Sequence, residues 1–291
     1  MKPDVVVVGT DGSDQSCSAV EWAAREAMLR GAALRIVSVP TLPSRMAWRE
    51  VPQGTPDTVA DTIVKSYEHA LAAAADRAAE VEPGLAVDTA LRSGRPASAL
   101  VDAAAGASLL VVGSRGGGGF AALLLGSVSR HVATRADCPV VVVREKTVAV
   151  HRQVVVGVRD LDQPAAIGFA FAEASLRKVR LRVVHAWQLF LPEMRLTGTE
   201  RPGAATEEVT AEVAEWLTAL LSFWREKYPE VDVVEEVVHA SPARVMAASS
   251  ANADLIVLGR NSSGDSSHAG ADPVIHAVLN HADAPVAIVP E

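Results

Sequence analysis

The stretch VVGSRGGGGFAALLLGSVSRHVATRADCPVVVV, residues 111–143, decides the fold. It opens on the end of a short apolar run, passes through a loop rich in glycine, and reaches Gly126-Ser127. A segment of helical spacing follows, and then a run of four valines. A strand, a glycine loop, a helix and a second strand in that order form a βαβ unit, which calls for a parallel sheet. A second stretch, residues 256–289, has the same outline (IVLGRNSSGDSSHAGADPVIHAVLNHADAPVAIV), but serine, aspartate and proline stand where key glycines stood.

Working outward, the similarity covers the whole chain. VVVVGTDGSDQSCSAVEWAAREAMLRGAALRIVSV (5–39) aligns with QVVVGVRDLDQPAAIGFAFAEASLRKVRLRVVHA (153–186), and ADCPVVVV aligns with ADAPVAIV. The offset is close to half the chain, so each repeat is a whole domain and not a solenoid unit. The spacing predicts two α/β domains, 1–146 and 153–291, joined by the linker EKTVAVHR at 145–152. Expected strands lie near 4–10, 34–40, 85–91, 108–113 and 139–144, then near 153–159, 180–186, 231–238, 254–259 and 285–289. Their unbroken apolar character suits strands covered on both faces by helices. Asp14 is expected to cap the first helix, residues 57–82 to form a longer one, Pro96 to open a third and Gly126–Thr134 to supply the last. The stretches 41–57 and 188–206 read as loops. Trp48 and Trp187, in or beside them, would pin those loops or touch a ligand.

Composition narrows the function classes. The 291 residues are 49% hydrophobic and 21% charged, with a net charge of −8. That balance fits a soluble globular protein and opposes a general nucleic-acid surface. The charge is uneven: residues 1–146 hold 15 Lys+Arg against 16 Asp+Glu (net −1), and 147–291 hold 12 against 19 (net −7). An anion is repelled less by the first half. No apolar run reaches the roughly 18–20 residues of a membrane span, and MKPDVVVVGTDGS reads as a first strand and not a signal peptide. The expectation is a cytoplasmic protein without membrane insertion. Cys17 and Cys138 read as free thiols, and no histidine spacing suggests a metal site.

The motif Gly113-x2-Gly116-x9-Gly126-Ser127 runs from a strand end to a helix start. Glycines there permit positive φ and close backbone approach to a ligand. A helix N-terminus at Gly126-Ser127 offers unpaired N–H groups and a positive dipole end, and Ser127 and Ser129 add hydroxyls. In a doubly wound sheet the ligand lies beyond the strand ends where winding reverses. With strand order 3-2-1-4-5, the GTDGS turn after the first strand faces the glycine loop. Asp11 can then meet ribose hydroxyls, or serve only as a turn aspartate. A P-loop would need a lysine after its last glycine, and none occurs between Lys65 and Lys146.

The five-strand repeat, the GTDGS turn and the G-x2-G-x9-G-S motif together resemble the universal stress protein family in its ATP-binding branch, as a tandem of two domains. The resemblance implies a Rossmann-like, adenine nucleotide alpha hydrolase-like fold, with ATP, alone or with Mg2+, between the first and fourth strands. It implies Asp11 at the ribose, backbone at Val39 near adenine, and Gly113, Gly116, Gly126, Ser127, Val128 and Ser129 around the phosphates. Thr10 and Arg115 are adjacent candidates. It also implies pairing of terminal strands within the chain, a homodimer, and a regulatory protein partner in stress adaptation.

The second copy departs from that pattern. Ser262, Asp272 and Pro273 replace Gly116, Gly126 and Ser127, and Arg159 replaces Asp11, with Asp160 one residue away. A carboxylate would meet phosphate there, and Pro273 has no N–H to donate. The expected nucleotide site is therefore in the first domain alone. No catalytic residue is assigned, because Gly113–Arg130 contains no carboxylate; His131 and Cys138 read as surface or packing residues. The alternatives are a slow ATP hydrolase or other nucleotide-processing enzyme, and a nucleotide-free interaction scaffold.

Overall fold

The four valines of VVVVGT form the first strand, β1 (Val5–Thr10), because β-branched residues buried on both faces favour extended backbone. The computed structural model describes residues 4–41, 56–116, 125–144, 150–159, 163–188, 202–261 and 272–291. It divides into two compact units, Met1–Thr147 and Val148–Glu291.

In the first unit β1 is followed by α1 (Asp14–Arg30), β2 (Ala33–Ser38), α2 (Pro56–Val81), β3 (Val87–Leu91), α3 (Pro96–Ala103), β4 (Leu109–Gly113), α4 (Ser127–Arg135) and β5 (Val140–Val143). The strands pair in parallel in the order β3-β2-β1-β4-β5. Val6 stands opposite Leu34 on one side and Leu109 on the other. Winding reverses between β1 and β4, as expected for the strand order 3-2-1-4-5. Ala19, Val20, Ala23, Ala24 and Ala27 form the buried face of α1, which packs on β1 and β4.

The cap of α1 differs from the expectation. Ser13, not Asp14, is the N-cap: its hydroxyl accepts from Ser16 N–H, and Asp14 becomes a first-turn acid. Asp11 causes this shift, because its Oδ1 accepts from both the N–H (3.1 Å) and the hydroxyl (2.6 Å) of Ser13. At the other end Gly31 adopts φ +64 and its N–H donates to the Met28 carbonyl, closing the helix in a left-handed turn.

The second unit repeats the plan with β6 (Gln153–Gly157), α5 (Pro164–Arg177), β7 (Arg180–Trp187), α6 (Pro202–Lys227), β8 (Val233–His239), α7 (Pro242–Ser249), β9 (Leu255–Arg260), α8 (Pro273–His281) and β10 (Val286–Pro290). Its parallel order is β8-β7-β6-β9-β10. The closing turn of α5 is the counterpart of that at Gly31, with Lys178 at φ 55. The stretches expected to be loops end in helix, since α2 begins at Pro56 and α6 at Pro202. Trp187 ends β7 with its ring 4.5 Å from that of His239 at the end of β8; the loop it was expected to pin lies mostly outside the described residues. Trp48 lies outside the described residues. Among the described residues no helix is long and apolar enough to cross a membrane.

Candidate functional site

The crevice of the first unit opens where β1 and β4 end. Thr10, the last residue of β1, is buried, and its hydroxyl is used to build the turn. Its Oγ1 accepts from Gly12 N–H at 3.2 Å and lies 3.0 Å from Ser16 Oγ. The Thr10 carbonyl accepts from Ser38 Oγ at 2.8 Å, which ties the ends of β1 and β2 together. Gly12 then takes φ +80, a conformation that favours glycine. This turn leaves Asp11 exposed. Val39 follows β2 directly and is buried.

The opposite bank is built from β4 and α4. Gly113 ends β4, and a Cβ there would come within 2.9 Å of the Gln15 carbonyl oxygen. Only a residue without a side chain lets the first turn of α1 approach so closely. At Gly116 an added Cβ would lie 2.4 Å from Asp11 Oδ2, so the Asp11 carboxylate reaches across to the glycine loop. Gly126 returns the chain to the sheet: its N–H donates to the Ser114 carbonyl, and the Ser114 N–H donates to Val143, both at 2.8 Å.

Among the motif glycines, Gly113, Gly116 and Gly126 do not adopt positive φ. Close approach, and not backbone freedom, is what the structure asks of Gly113 and Gly116. Gly126 is extended (φ −70, ψ 152), and a Cβ there would make only ordinary contacts at 3.4 Å and beyond.

Helix α4 starts at Ser127 with no side-chain cap and no acidic residue in its first turn. Its amide end therefore meets the crevice without a competing carboxylate from its own sequence. Ser127 is exposed and Val128 half-buried. The Ser129 hydroxyl is committed, since it donates to the Gly113 carbonyl at 2.6 Å and locks α4 to β4. Its proton is thus used within the fold, leaving only an oxygen to offer. Arg115 is half-buried beside Gly116 at the start of the loop. Asp11 and Gly116 thus meet across the ends of β1 and β4, and Gly113 and Gly126 lie against Ser129, with Thr10 and Ser129 tied into the framework.

The corresponding crevice of the second unit is filled differently at its rim. Arg159 leaves β6 with its N–H on Gln163 Oε1 at 2.8 Å. Its guanidinium donates to Asp272 Oδ2 at 2.6 Å and to Asn261 Oδ1 at 2.9 Å. The other oxygen of Asp272 caps α8 by accepting from Val274 N–H at 2.8 Å. Glu291 also occupies a helix start, accepting from Ala165 N–H (2.9 Å) and Ala166 N–H (3.1 Å) of α5. The N-termini of α5 and α8 at this crevice thus carry a carboxylate from the protein itself, whereas that of α7, at Pro242, has no side-chain cap. Sequence reasoning anticipated Asp272 but missed Glu291, which no motif links to a helix more than a hundred residues away. Ser262 and Asp160 lie outside the described residues.

Among the described residues no group of three His, Cys, Asp or Glu side chains could hold a metal ion. Cys138 is buried, and burial pushes its thiol up to about 11. The reactive thiolate is therefore scarce at neutral pH. Native protein at pH 8 is expected to show Cys138 alkylated at least tenfold more slowly than in urea, read by peptide mass spectrometry. Equal rates would contradict this environment.

Sequence and fold comparisons agree with this architecture. The universal stress protein family matches the chain twice, over residues 3–144 and 151–290. A universal stress protein of Mycobacterium tuberculosis (strain ATCC 25618 / H37Rv) is 33% identical over 296 residues, covering 97% of this chain and 96% of its own. The crystal structure of a universal stress protein from Archaeoglobus fulgidus superposes with a TM-score of 0.71 at 18% identity, covering 99% of this chain and 96% of its own. A solved universal stress protein in complex with cAMP is 33% identical, covering 50% of this chain and 98% of its own, at a TM-score of 0.36. The chain belongs to the universal stress protein family, as a tandem of two such folds.

Proposed function

We propose that the first unit binds ATP as a regulatory ligand and that the second does not. One observation carries this reading: α4 meets its crevice with no side-chain cap, whereas the equivalent α8 is capped by the Asp272 carboxylate. Phosphate favours a helix N-terminus and is repelled by a carboxylate already placed there. Asp11, whose Oδ1 also accepts from Ser13, would accept from the ribose hydroxyls. Backbone at Val39 would meet adenine, while Gly113, Gly116, Gly126, Ser127 and Val128, with Arg115 nearby, would surround the phosphates.

In this reading the nucleotide biases the surface offered to a regulatory protein partner or a second copy of the chain during stress adaptation. Dedicated hydrolysis is not part of it. Phosphoryl transfer calls for a group that positions water and commonly carboxylates that hold Mg2+ at the phosphates. Gly113–Arg130 supplies no carboxylate. Mg2+ would then travel with the ATP and be held mainly by its phosphates.

Asp11→Asn tests the ribose contact. Charge-assisted hydrogen bonds exceed neutral ones by about 1 kcal/mol, so ATP affinity should fall roughly fivefold by calorimetry. Unchanged affinity would return Asp11 to a purely local role in the turn.

A further inference from the structure

We propose that Ser16 is a positioning residue of the first unit's nucleotide site: it links Thr10 to Ser13, fixes the Asp11 carboxylate, and so sets a preference for ribose over a sugar without hydroxyls. The inference rests on the ATP reading above. Ser16 and Thr10 are buried, at 4% and 6% exposure, whereas Asp11 is exposed. An exposed carboxylate has to be ordered when a ligand binds, unless the fold has ordered it beforehand. The hydrogen bonds around Ser16 supply that order.

A serine hydroxyl carries one proton. Ser16 gives its proton to the Ser13 carbonyl at 2.8 Å, so Thr10 is the donor across the 3.0 Å contact between the two buried hydroxyls. Thr10 Oγ1 in turn accepts from Gly12 N–H at 3.2 Å. The Ser16 N–H donates to Ser13 Oγ at 3.3 Å, and the Ser13 proton goes to Asp11 Oδ1 at 2.6 Å. Ser16 thus holds Ser13 by backbone and side chain, and Ser13 holds Asp11.

The second unit separates this chain of hydroxyls from what the fold itself needs. The tie between strand ends is kept there: Ser38 Oγ donates to the Thr10 carbonyl at 2.8 Å, and at the equivalent place His185 Nδ1 donates to the Val158 carbonyl at 3.0 Å. The hydroxyl chain is lost as a set, since Val158, Arg159, Leu161 and Pro164 replace Thr10, Asp11, Ser13 and Ser16. Pro164 lacks both the hydroxyl and the N–H that Ser16 uses. Helix α5 nevertheless runs from Pro164 to Arg177 and packs on β6 and β9. The fold therefore forms without these four residues, and the unit whose α4 start is uncapped is the one that has them all.

ATP and dideoxy-ATP, which lacks both ribose hydroxyls, are titrated into the full-length chain by calorimetry. Wild type should prefer ATP by at least about tenfold, the scale of hydrogen bonds to a charged group. Ser16→Ala should weaken ATP roughly fivefold and leave dideoxy-ATP within about twofold, so that the preference shrinks. Thr10→Val, which installs the second unit's side chain, should do the same, and Thr10→Ser, which restores the hydroxyl, should bring the preference back. This second pair carries the test if Ser16→Ala does not fold. A preference that survives Ser16→Ala or Thr10→Val, a wild type that has none, or equal weakening of both nucleotides overturns the inference alone, with ATP still bound. Wild type that binds neither nucleotide overturns the ATP reading and this inference with it.

Discussion

Gly126→Asp is expected to abolish ATP binding, weakening it at least a hundredfold by titration calorimetry, while leaving the fold intact or slightly stabilised. The substitution copies Asp272 into the first unit. Gly126 has φ −70 and open surroundings, so a side chain is accommodated without strain. Aspartate is a better N-cap than glycine by a few tenths of a kcal/mol, so thermal stability should hold or rise. The incoming carboxylate would both occupy the amides of α4 and repel phosphate. Loss of binding together with loss of fold would point to misfolding instead, and unchanged affinity would remove α4 from the site.

Phe171→Ala is expected to destabilise the second unit by about 3–5 kcal/mol, the usual cost of removing a fully buried aromatic side chain. Phe171 is 0% exposed on α5, with its ring 6.1 Å from Trp224 and 5.8 Å from Tyr228 on the α6 side. Gly168 clears the space for that contact, because a Cβ there would lie 2.4 Å from the Trp224 indole. The surrounding rings cannot all collapse into the void, so the cavity penalty adds to the lost burial. Urea unfolding followed by tryptophan fluorescence should show the midpoint of this unit fall, with ATP binding by the first unit retained. A loss below about 1 kcal/mol would mean that the cluster repacks.

Most strand positions were legible because buried parallel strands are written as apolar runs, as in Val5–Val8 and Val140–Val143, whereas the strand order came with the family resemblance and not from the runs themselves. The glycine motif located the crevice for a similar reason, since its spacing is local. The reason for those glycines was misread: Gly113 and Gly116 answer to Gln15 and Asp11, residues about a hundred positions away. The cap of α1 moved to Ser13 because Asp11 bonds Ser13, a competition between neighbouring acceptors that propensity alone does not rank. Ser129 was read as a donor to ligand, yet Gly113 takes its proton. The Arg159–Asp272 pair and the Glu291 cap were invisible to any local pattern, being tertiary contacts between residues 113 and more than 120 positions apart.

These long-range contacts are also what separates the two units chemically. The same sheet and crevice present an open amide end in one unit and an internally neutralised rim in the other. Calorimetric titration of the full-length chain with ATP measures that difference directly, because it counts sites. One site per chain, lost in Gly126→Asp, is the predicted result; no binding, or two sites per chain, would contradict it.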